Sequence, residues 1–260
     1  MNRLAGKVAF ITGGGSGIAR AASLLFAGEG AKVVVAEIDA ALGEATARQV
    51  AGAGGDALAV RTDVTDEESV RDAIATAVAR YSRLDILFNC AGGSLNADSL
   101  VTEVDLAVWD HTMALDVRGA MLVCRHGIPE LVKAGGGSVV NMSSGAALRG
   151  SSPKHVYTAA KGAILSFTRA LAGSYVKDNI RANAICAGRI LTDRILNNYG
   201  TGDAPGPVAD LQDAAGRVRE YPFWVGRPED IASIALFLAG DESRMITGAT
   251  IPADGGRSAY

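Results

Sequence analysis

The chain has 260 residues, of which 48% are hydrophobic and 20% charged, a balance that supports a substantial core. A net charge of −3 and a pI near 5.7 leave no basic footprint for nucleic acid. No run of 18 apolar residues and no charged-then-apolar leader occur, and Cys90, Cys124 and Cys186 form no CxxC pair. The expectation is a cytoplasmic protein with no membrane span.

Strand and helix signals alternate from the start. Residues 8–11 are a short apolar run that reads as a buried strand, and an apolar-periodic segment from about residue 18 reads as a helix. Between them, residues 12–17 (TGGGSG) hold four glycines in six positions. A strand, a glycine turn and a helix start together make an anion site. The first helical N–H groups lack partners, the helix dipole is positive there, and glycine lets backbone approach a pyrophosphate. The spacing Gly13-x-x-x-Gly17-x-Ala19 differs from the common dinucleotide fingerprint, and similar turns also serve structure alone.

Further strands are expected at 32–37, 57–61, 84–89, 138–142, 180–186 and 249–252. Helices are expected at 40–53, 106–133, 156–176 and 227–240. Another helix, running to about residue 82, is expected to start with Thr65 as N-cap and Glu68 completing a capping box. A looser stretch, 189–225, carries Pro205, Pro207 and Pro222. Continuous apolar strands separated by helices predict an α/β fold, a doubly wound parallel sheet of Rossmann-like type in three layers. No composition break divides the chain, so one domain is expected.

Ligands of such sheets bind at the carboxyl ends of the strands. Glu37 closes the second strand, about 20 residues beyond the glycine turn, where an acid accepts ribose hydroxyls. Asp63 closes the third, Asn89 and Gly92 the fourth, and Ser143 and Ser144 the fifth. Taken singly, Asp63 reads equally as a turn residue and Ser143 as a helix cap; together they form a polar rim. Tyr157 and Lys161, four apart on a helix, share one face. An ammonium beside a phenol favours the phenolate, and Ser144 can donate a hydrogen bond to a substrate oxygen while Tyr157 exchanges the proton.

The ordered motifs resemble those of the short-chain dehydrogenase/reductase family over nearly the whole chain. They are Thr12-Gly13-x-x-x-Gly17, Asp63-Val64, Asn89-x-Ala91-Gly92, Ser144 with Tyr157 thirteen residues on, Tyr157-x-x-x-Lys161, Asn183 to Thr192, and the tail from Arg227-Pro228-Glu229-Asp230 to Asp254-Gly255-Gly256. The resemblance implies hydride transfer between a nicotinamide cofactor and an alcohol or carbonyl compound. It gives Tyr157 the acid/base role, Ser144 the substrate oxygen, and Lys161 the nicotinamide ribose. Ser16 and Ile18 would lie at the phosphates, Asp63 and Val64 at the adenine, Asn89 beside the ribose, and Ile190 and Thr192 at the carboxamide.

Three departures stand out. Ala19 replaces the third glycine, Ala187 replaces a proline before Gly188, and Asp116 replaces a catalytic asparagine in the long helix. That asparagine supports a water chain to the lysine, and an aspartate adds negative charge there. His155 reads as a polar loop residue near the pocket. No metal site is expected.

Glu37 predicts NAD, because a carboxylate repels the 2′-phosphate of NADP and neither Ser16 nor Ile38 offsets it. Leu191, Ile195, Leu196, Tyr221, Phe223 and Trp224 suggest an apolar cover over a hydrophobic or cyclic secondary alcohol or ketone. The competing readings are an NADP-dependent 3-oxoacyl-type reductase and a nucleotide-binding relative that has lost the chemistry; a methyltransferase leaves the Tyr–Lys pair unexplained. By resemblance, a homotetramer paired through its long helices is expected.

Overall fold

The computed structural model describes residues 2–193, 223 and 225–259. Strands β1 (Val8–Thr12), β2 (Lys32–Glu37), β3 (Asp56–Arg61), β4 (Ile86–Asn89), β5 (Gly137–Ser144) and β6 (Ile180–Ala187) lie in one parallel sheet. Two short strands, β7 (Arg189–Ile190) and β8 (Val225–Gly226), pair separately, and β9 (Thr250–Ala253) completes the main sheet. The seven strands run β3-β2-β1-β4-β5-β6-β9, every pairing parallel. The expected doubly wound α/β fold is therefore present.

The apolar runs are continuous because both faces of the sheet are covered. Along β2, Val33 and Val35 pack into a core with Ala22 and Phe26 of α1 (Gly17–Gly28) and Val50 of α2 (Ala40–Gly52). Val34 and Ala36 point the other way, towards Val70 and Ile74 of α3 (Glu67–Tyr81). The same alternation sends Ala9 and Ile11 to one face of β1, and Val8 and Phe10 to the other. The last helix, Pro228–Ala239, shares the α1 face, with Ile231, Ala235 and Leu236 in that core.

Two local expectations are corrected. The N-cap of α3 is Asp66, not Thr65: the Asp66 carboxylate accepts from Glu68 N at 3.2 Å. Asp63 Oδ1 takes both the amide and the hydroxyl of Thr65, at 2.9 and 2.7 Å. Thr65 is thereby held in a turn, and the helix begins one residue later than expected. The long helix is not uniformly α: α4 (Leu106–Thr112) passes through a π-helical turn (Met113–Arg118) into α5 (Gly119–Lys133). Such turns often mark functional positions, and Asp116 lies in this one.

β1 and β4 are neighbours at the point where the strand order reverses, so their carboxyl ends open a crevice. Thr12 Oγ1 accepts hydrogen bonds from Cys90 N and Ala91 N at 3.0 and 3.1 Å and ties the two lips together. Among the described residues, no helix is long and apolar enough to cross a membrane.

Candidate active site

The glycine turn forms one wall of the crevice. Gly13 has φ +70°, and a Cβ there would stand 3.0 Å from Ala91 Cα, so a side chain would push the two lips apart. Ser16 is the N-cap of α1, in extended conformation and with no side-chain capping bond. Its hydroxyl and the amides that open α1 are donors of the kind a diphosphate needs. Gly17 faces Thr192, and Ile18 and Ile190 line the cleft beyond it. This donor set and glycine cradle fit a dinucleotide.

Glu37 turns back onto the glycine turn. Its Oε2 accepts from Gly15 N at 3.0 Å and its Oε1 from Asp39 N at 3.2 Å, so the carboxylate, read in the sequence as a ribose acceptor, braces the glycine turn. Asp63 is half-buried in the turn before α3, and Val64 packs beneath Gly119. Asn89 ends β4 and is buried. Its side-chain amide donates inward to Asn141 Oδ1 at 2.8 Å, and Asn141 in turn donates to Thr168 Oγ1 at 2.9 Å. Asn89 Oδ1 is buried and has no hydrogen-bond partner among the described residues.

The two serines that end β5 are used differently. Ser143 is buried and donates to the carbonyl of Lys161 at 2.8 Å, fixing the helix α6 (His155–Tyr175) to the sheet. Ser144 lines the cleft with Tyr157 and Lys161, and its Oγ accepts from Ala146 N at 3.1 Å. The Ser144 proton is thus free to point at a substrate oxygen. Lys161 Nζ lies 5.6 Å from the centre of the Tyr157 ring.

Lys161 is only 4% exposed, and its charge has a partner. Asp116 Oδ1 stands 2.7 Å from Lys161 Nζ, which also donates to Met142 O at 3.1 Å. Burial works against the ammonium, but the Asp116 carboxylate and the Tyr157 side chain outweigh it, and Lys161 holds its proton more firmly than usual. Gly93 N donates to Asp116 Oδ1 at 3.0 Å, while the buried Asp116 Oδ2 has no hydrogen-bond partner among the described residues. Gly92, at φ +141°, has no room for a side chain, because a Cβ would fall on the Asp116 carboxylate.

Sequence reasoning missed four residues. Asp98, 6% exposed, caps α6 from a distant loop, accepting from Val156 N at 3.2 Å and Tyr157 N at 2.8 Å. Nothing in the Asp98 neighbourhood signals this, since its partners lie 58 and 59 residues on. Arg149, Arg189 and Arg257 line the same cleft as Tyr157, brought there from separate strand ends. His155 Nδ1 accepts from Val101 N at 3.1 Å and so holds a loop. Of the apolar cover, Leu191 and Phe223 are described; Ile195, Leu196, Tyr221 and Trp224 lie outside the described residues.

A dinucleotide cradle on one side of a switch point, with a serine, tyrosine and lysine gathered on the other, defines a class of α/β oxidoreductases. The family model described as enoyl-(acyl carrier protein) reductase matches residues 13–258. The chain is 39% identical to a probable short-chain type dehydrogenase/reductase of Bradyrhizobium diazoefficiens, over 100% of this chain and 90% of that protein. It is 38% identical to the 2,5-dichloro-2,5-cyclohexadiene-1,4-diol dehydrogenase of Sphingobium indicum, over 99% and 98% of the two chains. A solved 7α-hydroxysteroid dehydrogenase, complexed with NADH and 7-oxo glycochenodeoxycholic acid, superposes with a TM-score of 0.88 at 30% identity, covering 98% of this chain and 95% of that one. The chain belongs to the short-chain dehydrogenase/reductase family of oxidoreductases.

Proposed function

We propose that the protein is an NAD-dependent dehydrogenase/reductase that interconverts a secondary alcohol and its ketone, with a hydrophobic or cyclic body to the substrate. The observation that carries this reading is the grouping of Ser144, Tyr157 and Lys161 on one cleft wall that also reaches Ile18, Ile190 and Thr192. Gly13, Ser16, Gly17, Ile18, Asp63, Val64, Asn89, Ala91, Gly92, Ile190 and Thr192 would hold the dinucleotide, with Glu37 at its adenosine ribose. When bound, the nicotinamide supplies the hydride acceptor or donor.

The chain's own residues handle the proton. Ser144 donates a hydrogen bond to the substrate oxygen and orients it towards Tyr157. Tyr157 takes the proton from the alcohol in oxidation and returns it to the carbonyl oxygen in reduction. Lys161 stabilises the phenolate electrostatically and would hold the nicotinamide ribose. Asp116 positions Lys161 through their buried contact. A cyclic substrate is supported by what two relatives are named for, a cyclohexadiene diol and a steroid ketone. The protein works as one dinucleotide-binding and catalytic domain, with 189–225 covering the substrate, and assembles as a homotetramer. The test is NADH formation by the purified protein over a panel of secondary alcohols. Turnover of cyclic or hydrophobic members is expected, and no turnover of any member would remove the reading.

A further inference from the structure

Three neighbouring strands each deliver one arginine to the cleft that holds Ser144 and Tyr157. Arg149 follows the 3-10 turn Gly145–Leu148 at the end of β5, Arg189 opens β7 just past β6, and Arg257 follows β9. β5, β6 and β9 lie side by side at one edge of the sheet, away from the glycine turn that follows β1. The arginines therefore gather on the substrate side of the switch point rather than on the phosphate side.

The convergence is built into the backbone. Arg257 leaves a turn in which Gly256 N donates to Asp254 Oδ1 at 3.0 Å, with Gly255 and Gly256 both at positive φ. Gly188 lets that turn approach, since a Cβ there would stand 2.6 Å from Asp254 Cα. Arg149 is steadied by its Nε donating to Gly145 O at 3.2 Å. All three side chains are half-buried, so part of each guanidinium's hydration is lost. Burial, and then the like charges of Arg149 and Arg189, push Arg257 down to about 10 despite the opposing pull of Asp254. Guanidinium forks match carboxylate, sulfonate and phosphate oxygens in pairs, so a cleft wall carrying three of them suits an anionic group. Ser151 and Ser152, on the same wall, add hydroxyl donors.

We infer that Arg149, Arg189 and Arg257 form an anion subsite beside the reacting oxygen, so that the substrate is a secondary alcohol or ketone bearing a carboxylate, sulfonate or phosphate group. This rests on the alcohol/ketone reading above and narrows it: the charged end of the substrate meets the arginines.

The test compares 4-hydroxycyclohexanecarboxylate and 3-hydroxybutanoate with their primary amides, which keep the shape and lose the charge. Binding to the enzyme–NADH complex is measured by calorimetry, and kcat/KM with NAD in parallel. At least one carboxylate should be preferred over its amide by roughly tenfold or more, and the preference should weaken as salt rises. In Arg149→Met and Arg257→Met the carboxylate-to-amide ratio should collapse towards one, while Arg257→Lys recovers part of it. Thermal unfolding of each variant checks that it is folded.

Turnover of the amides with no carboxylate preference would overturn the subsite and leave the oxidoreductase reading standing. Carboxylate-selective binding with no turnover of any probe would do the reverse. No detectable binding of either carboxylate, or a ratio unmoved by both Met variants, would also overturn the subsite. So would variants whose only defect is weaker NADH binding, because the arginines would then serve the cofactor phosphates.

Discussion

At Asp116 a single side chain decides how much of a lysine's charge reaches the rest of the cleft. The Asp116–Lys161 contact of 2.7 Å is buried at both ends, so removing one partner strands the other. Asp116→Ala should cost about 3–5 kcal/mol of stability, read from denaturant unfolding, and a loss below about 1 kcal/mol would contradict the pairing. Asp116→Asn keeps an oxygen that can accept from Gly93 N and Lys161 while removing the negative charge. Activity should be kept or raised, read as kcat/KM of the variant beside the unmutated protein. A collapse of activity would show that the carboxylate itself is needed. Glu37 is the other decisive acid. Like charges a few ångströms apart cost about 1–4 kcal/mol, so NAD should be preferred over NADP by roughly tenfold or more. Because Glu37 also holds Gly15 N and Asp39 N, Glu37→Gln is a cleaner test than Glu37→Ala: it keeps an acceptor and removes the charge. The preference should narrow in both variants, and equal catalytic efficiency with NAD and NADP in the unmutated protein would sink the assignment. Glu37 and Asp116 were both legible in the sequence as positions, Glu37 from its place at a strand end beyond the glycine turn and Asp116 as a departure from the family resemblance. Their partners were not, because a hydrogen bond to Gly15 or an ion pair with Lys161 depends on how far apart two elements settle.

Elements carry the site residues, and α6 carries both Tyr157 and Lys161. It is pinned at Lys161 O by Ser143 and capped by Asp98, which accepts from the amides of Val156 and Tyr157. Asp98→Ala should lower stability by about 1–2 kcal/mol and reduce kcat, since the first turn of α6 aims the Tyr157 ring. An unchanged unfolding midpoint would mean that the cap contributes nothing. Helix and strand periodicity was enough to predict each of these elements, because apolar spacing records which face is covered. It could not predict the π-helical turn, which keeps nearly the same spacing while shifting the faces of α4 and α5 relative to one another. Nor could it separate Thr65 from Asp66 as a cap: both are good capping residues, and the choice fell to Asp63, whose carboxylate claimed Thr65 first. The distant cap is a harder case again, as no local pattern joins Asp98 to Val156.

For the whole molecule, the parallel order and the switch point follow from buried strands joined by helices, and the motifs fall at strand ends because the strands share one direction. The three arginines escaped sequence reading for the same reason: they are adjacent only once β5, β6 and β9 stand side by side. On the outer side of α4, Leu106 is 77% and Trp109 44% exposed, surface that suits pairing between copies. Light scattering should give four times the 26.6 kDa chain mass, and a single monomeric species would refute the tetramer. The most direct test of the central claim, that the molecule carries out proton-coupled hydride transfer through Tyr157, is the rate of NADH formation by Tyr157→Phe beside the unmutated protein. Turnover should fall by about 10²–10⁴-fold with folding and NADH binding retained; equal rates in the two proteins would contradict it.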